Sequence, residues 1–297
     1  MTNTDTQTRD GILCGVLAYG MWGFLPVYFL FVKTVPATEM LAHRVLWSVP
    51  FGALIIAMRG QWPEVVSAIR TPSKVGWLSL AALVIATNWL VYIVAVQKAQ
   101  IFQASLGYYI NPLIYVLVGV VFFGEKLRPA QILAVGLATI GVLVLTISGG
   151  EFPWISLALA VTFTIYGVIR KQVVVGGMPG LFIETLLLMP VAAIWLGMIA
   201  QDGGSAFVAG DGRLRWLITL AGPVTVLPLL FFALSARRLS LSMIGFLQFI
   251  GPTIQFIVGW FSGEVLTTPR MICFGLIWAA VLIFCADGWR GRKRKIA

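Results

Sequence analysis

Charge is what this chain has least of. Asp, Glu, Lys and Arg make up 11% of its 297 residues, and histidine occurs once, at His43. Soluble domains carry about a quarter of their residues as charged side chains, so this composition excludes a protein wetted on all sides. With a single histidine, and no H-E-x-x-H or Asp-rich cluster in the apolar stretches, there is little from which to build a membrane-embedded enzyme. There is no G-x-x-x-x-G-K-[ST] loop to support ATP hydrolysis. Cys14, Cys273 and Cys285 fall inside apolar runs without metal-ligand spacing and read as inert buried thiols. No N-x-[ST] acceptor occurs, and no cofactor or metal is implied.

What fills the chain instead is apolar sequence, 59% of residues. Ten continuous runs stand out, at about 11–32, 38–58, 76–97, 104–123, 129–148, 152–169, 179–200, 215–236, 241–261 and 270–287. A hydrocarbon core roughly 30 Å thick is crossed by about 20 helical residues. Continuous runs of that length, without alternation, predict helices rather than barrel strands. The expected fold class is therefore an all-α polytopic membrane protein of ten transmembrane helices. The first ten residues are polar and the first run is too long for a signal core, so it is expected to remain as a helix.

The second five runs repeat the first five. Pro112-x-Ile114-x-x-x-Val118-Gly119 recurs as Pro252-x-Ile254-x-x-x-Val258-Gly259, and Phe122-x-Gly124-Glu125 recurs as Phe261-x-Gly263-Glu264. The expected domains are a first repeat over 1–150 and a second over 151–297 that ends in a basic tail. Five crossings deliver the second repeat to the bilayer from the other side, so the copies are expected to be inverted, the usual architecture of alternating access. The net charge of +10 follows the same plan. With the N-terminus inside, 15 of the 21 Lys and Arg fall on the cytoplasmic side and five on the other, with Arg44 within a span. That bias places both termini in the cytoplasm and makes the basic residues topology anchors rather than a nucleic-acid surface, the tail alternatively binding anionic lipid headgroups; the expected location is a bacterial inner membrane.

Several segments carry a family pattern. Asn88-Trp89-Leu90-Val91-Tyr92, the run from Ala104 through Ser105, Tyr108 and Asn111-Pro112 to Leu113, and Gly124-Glu125-Lys126-Leu127 resemble the RarD group of the EamA-type permeases, in the drug/metabolite transporter superfamily. Glu39-Met40-Leu41-Ala42-His43-Arg44 with Trp47-Ser48 is similar as well, and the likeness covers essentially the whole chain. The resemblance implies ten helices in two inverted halves, a central cavity, and movement of small organic solutes. Members are usually labelled chloramphenicol-sensitivity permeases, which does not fix a substrate. The second half departs from the pattern, with Gly251-Pro252 where the first half has Asn111-Pro112.

Ionisable side chains inside a span cost about 2.5–3.5 kcal/mol each on insertion scales and so mark candidate sites. Glu39 and His43, four residues apart, share one helical face and form a candidate proton-responsive pair at the outer end of the cavity. Arg44 is available to an anionic substrate group. The same residues are equally readable as an interfacial helix start, with Glu39 on the helix dipole and Arg44 snorkelling. Asn88 and Asn111 either hydrogen-bond substrate or bridge helices. Ser105, Tyr92, Tyr108 and Tyr109, with Trp22, Trp47 and Trp89, supply an amphipathic wall or interface anchors. Glu184, Gln248 and Gln255 are second-half candidates. Pro112 and Pro252 are expected to kink paired helices and to serve as gates, although static kinks fit equally. The function expected is a secondary permease or exporter of small organic metabolites or drugs, driven by protons or by the solute's own gradient. The alternatives are a scaffold or sensor without transport and, less favoured, a membrane-embedded enzyme.

Overall fold

The computed structural model describes residues 3–123, 127–239 and 241–296, and among them every regular element is a helix. Span 1 is α1 (Asn3–Gly23) plus α2 (Leu25–Phe31), and span 2 is α3 (Ala37–Met58). A short helix, α4 (Trp62–Ile69), precedes α5 (Pro72–Gln97), which is span 3. Spans 4 to 7 are α6 (Ile101–Phe123), α7 (Pro129–Ile147), α8 (Trp154–Gln172) and α9 (Gly177–Gln201). After α10 (Ala206–Ala209), span 8 is α11 (Gly212–Thr219) plus α12 (Ala221–Ala236). Span 9 is α13 (Leu241–Leu247) plus α14 (Ile250–Phe261), and span 10 begins α15 (Thr268–Ile296). Nine stretches among the described residues are long and apolar enough to cross a bilayer, and α6, 23 residues long, is the tenth helix of that length. Leu83, Ile140, Ile147, Val191, Ile194 and Leu282 are exposed, as lipid-facing side chains are.

The spans pack as two copies of one arrangement. Across the halves, α3 lies on α9, α7 on α15, and α6 on α14. The other extensive contacts come in exchanged pairs: α1 on α12 matches α8 on α5, α6 on α8 matches α14 on α1, and α12 on α3 matches α5 on α9. For these main contacts, swapping each span for its counterpart five places on returns the same neighbours.

Polar contacts between loops fix which turns share a face. On one face, Gln97 Nε2 donates to the Val35 carbonyl at 2.8 Å, joining the turn after span 3 to the turn after span 1. Glu264 accepts from the backbone N–H groups of Ile101 and Phe102, so it caps the N-terminus of α6 from the turn after span 9. Arg270 grips Glu151 through Nε at 3.1 Å and Nη2 at 2.8 Å, bringing in the turn after span 5. On the other face, the Gly176 N–H donates to Glu64 Oε1 at 2.6 Å, Arg128 pairs with Asp287 at 3.0 Å, and Gly11 lies against Arg238 and Leu239. The turn after span 4, at Arg128, thus sits at the end holding both termini, and its repeat counterpart at Glu264 sits at the opposite end. The repeats are inverted. Glu125 and Lys126 lie outside the described residues.

The two prolines expected to kink paired helices sit in unlike segments. Pro112 lies inside α6, which runs unbroken past it, whereas Pro252 sits just beyond the turn at Gln248 and Phe249 that divides α13 from α14. Proline has no N–H to offer the carbonyl four residues back, here that of Gln248, and in span 9 the helix is interrupted at that residue. Pro26 likewise opens α2 just after the break in span 1.

Close approach sets the tightest packing. A Cβ on Gly107 of α6 would stand 2.7 Å from the Ser156 carbonyl oxygen on α8, a backbone atom that cannot swing aside. Gly136 on α7 has open space at the same position. Gly107→Ala is expected to lower stability by about 1–3 kcal/mol, read by thermal unfolding of the purified protein. Gly136→Ala should leave it unchanged or slightly higher, since alanine is the better helix former.

Candidate functional site

Two clusters form where span 2 meets the other half. Glu39, His43 and Trp47 recur every four residues and so line one face of α3. Glu39 is 1% exposed. Its Oε1 accepts from Ser205 Oγ at 2.9 Å and the Phe207 N–H at 3.1 Å, and its Oε2 accepts from the Ala206 N–H at 3.0 Å. The carboxylate therefore caps α10 and holds the connection between spans 7 and 8 onto span 2. His43 Nε2 lies 3.7 Å from Glu39 Oε1, and the imidazole is 4.9 Å from the Phe207 ring. Trp47 reaches the same ring at 6.5 Å. Neither His43 nitrogen nor Trp47 Nε1 has a hydrogen-bond partner.

Arg44 points elsewhere, because one helical step rotates it by about 100° from His43. Its Nε donates to Thr225 Oγ1 on α12 at 2.8 Å, and its guanidinium carbon lies 4.1 Å from the Trp89 ring centroid and 5.8 Å from that of Phe29. Cation–π contact of this kind favours a desolvated guanidinium. The Tyr92 ring is 6.0 Å from Phe29 and 5.9 Å from Tyr108, which in turn meets Phe163 edge-on at 5.9 Å. Tyr28 is held by donating to the Leu217 carbonyl at 2.9 Å. Spans 1, 2, 3, 4, 6 and 8 thus converge on one aromatic cage around a buried cation.

The amides and the serine are engaged between helices. Asn88 Nδ2 donates to the Leu159 carbonyl at 3.0 Å and Thr162 Oγ1 at 2.8 Å, tying α5 to α8, and its Oδ1 accepts from Tyr108 at 3.4 Å. Asn111 Oδ1 accepts from Thr164 Oγ1 at 2.9 Å, and Ser105 Oγ donates to the Pro252 carbonyl at 2.7 Å. Asn88 borders the Arg44 cage through Tyr108, while Asn111, Ser105, Pro112 and Pro252 belong to the packing of α6 on α8 and α14. Tyr109 Oη pairs with Thr253 Oγ1 at 2.7 Å, and Gln255 Nε2 donates to the Trp22 carbonyl at 3.1 Å.

A second buried carboxylate occupies the face that holds the termini. Glu184 on α9, fully buried, accepts from Tyr166 Oη at 3.1 Å and lies 3.4 Å from Arg170 Nη1. Arg170 Nη2 also donates to the carbonyls of Val175 and Gly176, at 3.2 and 3.1 Å, and its guanidinium packs flat against Gly180. In sequence Arg170 reads only as a positive flank. Its partner is 14 residues away across a turn of ambiguous character, so no periodicity signals the pair. Phe29, Phe207 and Thr225 also escape sequence reading, since nothing local distinguishes them from other residues of their type.

A duplicated, inverted ten-span bundle with buried polar groups at the junction of its halves is the build of a membrane transporter. The EamA-like transporter family matches residues 9–147. The protein RarD of Salmonella typhi is 43% identical over 97% of this chain and 99% of its own length. An uncharacterised transporter of Vibrio cholerae is 42% identical over 97% of this chain and 96% of its own. A crystal structure at 20% identity superposes with a TM-score of 0.62, covering 92% of this chain and 96% of that one, a likeness of fold alone. The chain belongs to the RarD group of the EamA-like transporters, and is a multi-pass membrane protein several of whose relatives are named as transporters.

The bridging geometry of Asn88 makes a direct prediction. Asn88→Leu removes both hydrogen bonds that α5 donates to α8 and is expected to lower stability by about 0.6–1.7 kcal/mol, the range of interhelical hydrogen bonds in membranes. Thermal unfolding in detergent, run beside Asn111→Leu, measures it.

Proposed function

We propose that this protein is a secondary transporter that moves small organic solutes across the bacterial inner membrane by alternating access, with both termini in the cytoplasm. The observation that carries the reading is the pair of buried carboxylates on pseudo-equivalent spans, one toward each face. Glu39 on span 2 secures the connection between spans 7 and 8, and Glu184 on span 7 secures Arg170 at the end of span 6. Releasing one while the other holds gives a passage open to one side at a time. Inverted repeats supply two such conformations of similar energy. The solute site lies between these closures, in the cage formed by Arg44, Trp89, Tyr92 and Tyr108.

Proton coupling rests on Glu39 and His43. As a carboxylate, Glu39 accepts three hydrogen bonds, and charge-assisted bonds of this type are roughly twice as strong as neutral ones. Adding a proton weakens all three and loosens α10 from span 2. His43, 3.7 Å from the carboxylate and without a hydrogen-bond partner, is placed to exchange that proton. The positive residues concentrated at the termini face support its cytoplasmic assignment.

Two measurements test these points. In proteoliposomes, Glu39→Gln is expected to flatten the pH dependence of solute flux, and a pH profile identical to that of the parent protein rules out a coupling role. Single cysteines at positions 128 and 264 are expected to react with an impermeant maleimide from opposite sides of the membrane. In intact cells the label should reach position 264 and spare 128, and the reverse pattern inverts the assigned orientation.

A further inference from the structure

Arg44 is the one Lys or Arg that is fully buried among the described residues, at 4% exposure. No carboxylate lies within 4.0 Å of it among the described residues. Their ion pairs are Arg9 with Asp10, His43 with Glu39, Arg128 with Asp287, Arg170 with Glu184 and Arg270 with Glu151. Its partners are instead one threonine hydroxyl and two aromatic faces. Nη1 is buried and makes no hydrogen bond, and neither does the buried Tyr92 hydroxyl. Buried polar groups are rarely left unpaired, and a buried charge is ordinarily paired. A cation and a phenol, each with a buried polar atom unsatisfied and both set against the Phe29 ring, therefore form a pair that one anion would satisfy.

We propose that Arg44 and Tyr92 form an anion subsite and that the transported solutes are organic monocarboxylates with an apolar or aromatic body. This deepens the transporter reading and rests on it. The charge fits a monoanion, because one guanidinium balances one negative charge. The donors fit a carboxylate, whose two oxygens accept from Arg44 Nη1 and Tyr92 Oη while Nε keeps its bond to Thr225. The body of the solute is set by the walls, where Phe29, Trp89, Tyr108 and Phe163 offer ring faces and edges. Planar aromatic groups pack well on such surfaces.

Binding to the purified protein in detergent tests the subsite. The probes are hexanoate, 3-phenylpropanoate and indole-3-acetate, each compared with its neutral amide by thermal stabilisation and titration. At least one carboxylate is expected to raise the melting temperature where its amide does not, with the aromatic acids ahead of hexanoate. Tyr92→Phe removes only an unpaired hydroxyl, so it should fold as well as the parent protein and bind the carboxylate about tenfold more weakly, the loss of one hydrogen bond to a charged group. Arg44→Gln should abolish the preference for acid over amide, and Arg44→Lys should retain part of it. The proposal is overturned if no carboxylate stabilises the protein, if acids and amides bind alike, or if Tyr92→Phe binds as the parent does. Counterflow in proteoliposomes separates this from the broader reading. A carboxylate that binds at Arg44 but is never moved contradicts transport and leaves the subsite standing. Neutral amides moved equally by the parent and Arg44→Gln proteins contradict the subsite and leave transport standing.

Discussion

Lipid offers no hydrogen bonds, and that single constraint sorts the polar side chains of the spans. Most find partners on a neighbouring helix: Asn88 on α8, Asn111 through Thr164, Ser105 on the Pro252 carbonyl. Each such bond removes a polar group from hydrocarbon and fixes one helix against another. The groups that remain unpaired stand out against this background. Arg44 Nη1, the Tyr92 hydroxyl and both nitrogens of His43 are among the buried atoms without hydrogen bonds, and these four lie together on spans 2 and 3. Polar groups carried into the membrane and left unpaired by the fold are where a solute or a proton has something to gain.

The same constraint shapes the two faces. Turns cannot leave their backbone groups bare at the edge of the hydrocarbon, and here side chains from the opposite half reach over to cap them. Glu264 caps α6, Glu39 caps α10, and Glu64 holds the Gly176 N–H, each bond crossing from one half to the other. The closure of each face is therefore also an interface between halves. A change in how the halves sit must break bonds at one face, which links access to a small number of carboxylates rather than to the bulk of the packing.

Much of this was legible in the sequence. Run length alone locates the ten spans to within a few residues, and five crossings per repeat with a Gly-Glu echo after spans 4 and 9 predicts inversion. The resemblance of the stretch around Asn111-Pro112 points to the family that the relatives confirm. Partnerships were not legible, because they join residues far apart in the chain. Glu39 meets Ser205 across 166 positions, and Arg44 meets Thr225 across 181. Asn88 and Asn111 carry the same polarity whether they face a solute or a neighbouring helix, and only geometry tells these apart. The proline pair shows the same limit. Two prolines at equivalent positions sit in one continuous and one interrupted helix, a difference that their matching Pro-x-Ile context does not signal.

The central claim is that the two faces open in alternation. Pulsed electron–electron distance measurements in nanodiscs test it most directly. One spin-label pair at the exposed positions 98 and 268 reports on the face of Glu39, and another at 67 and 171 reports on the face of Glu184. The account predicts two populations at each face that shift reciprocally with pH and solute, one pair separating as the other closes. Distances that stay single and fixed at both faces, or that widen together, would contradict it.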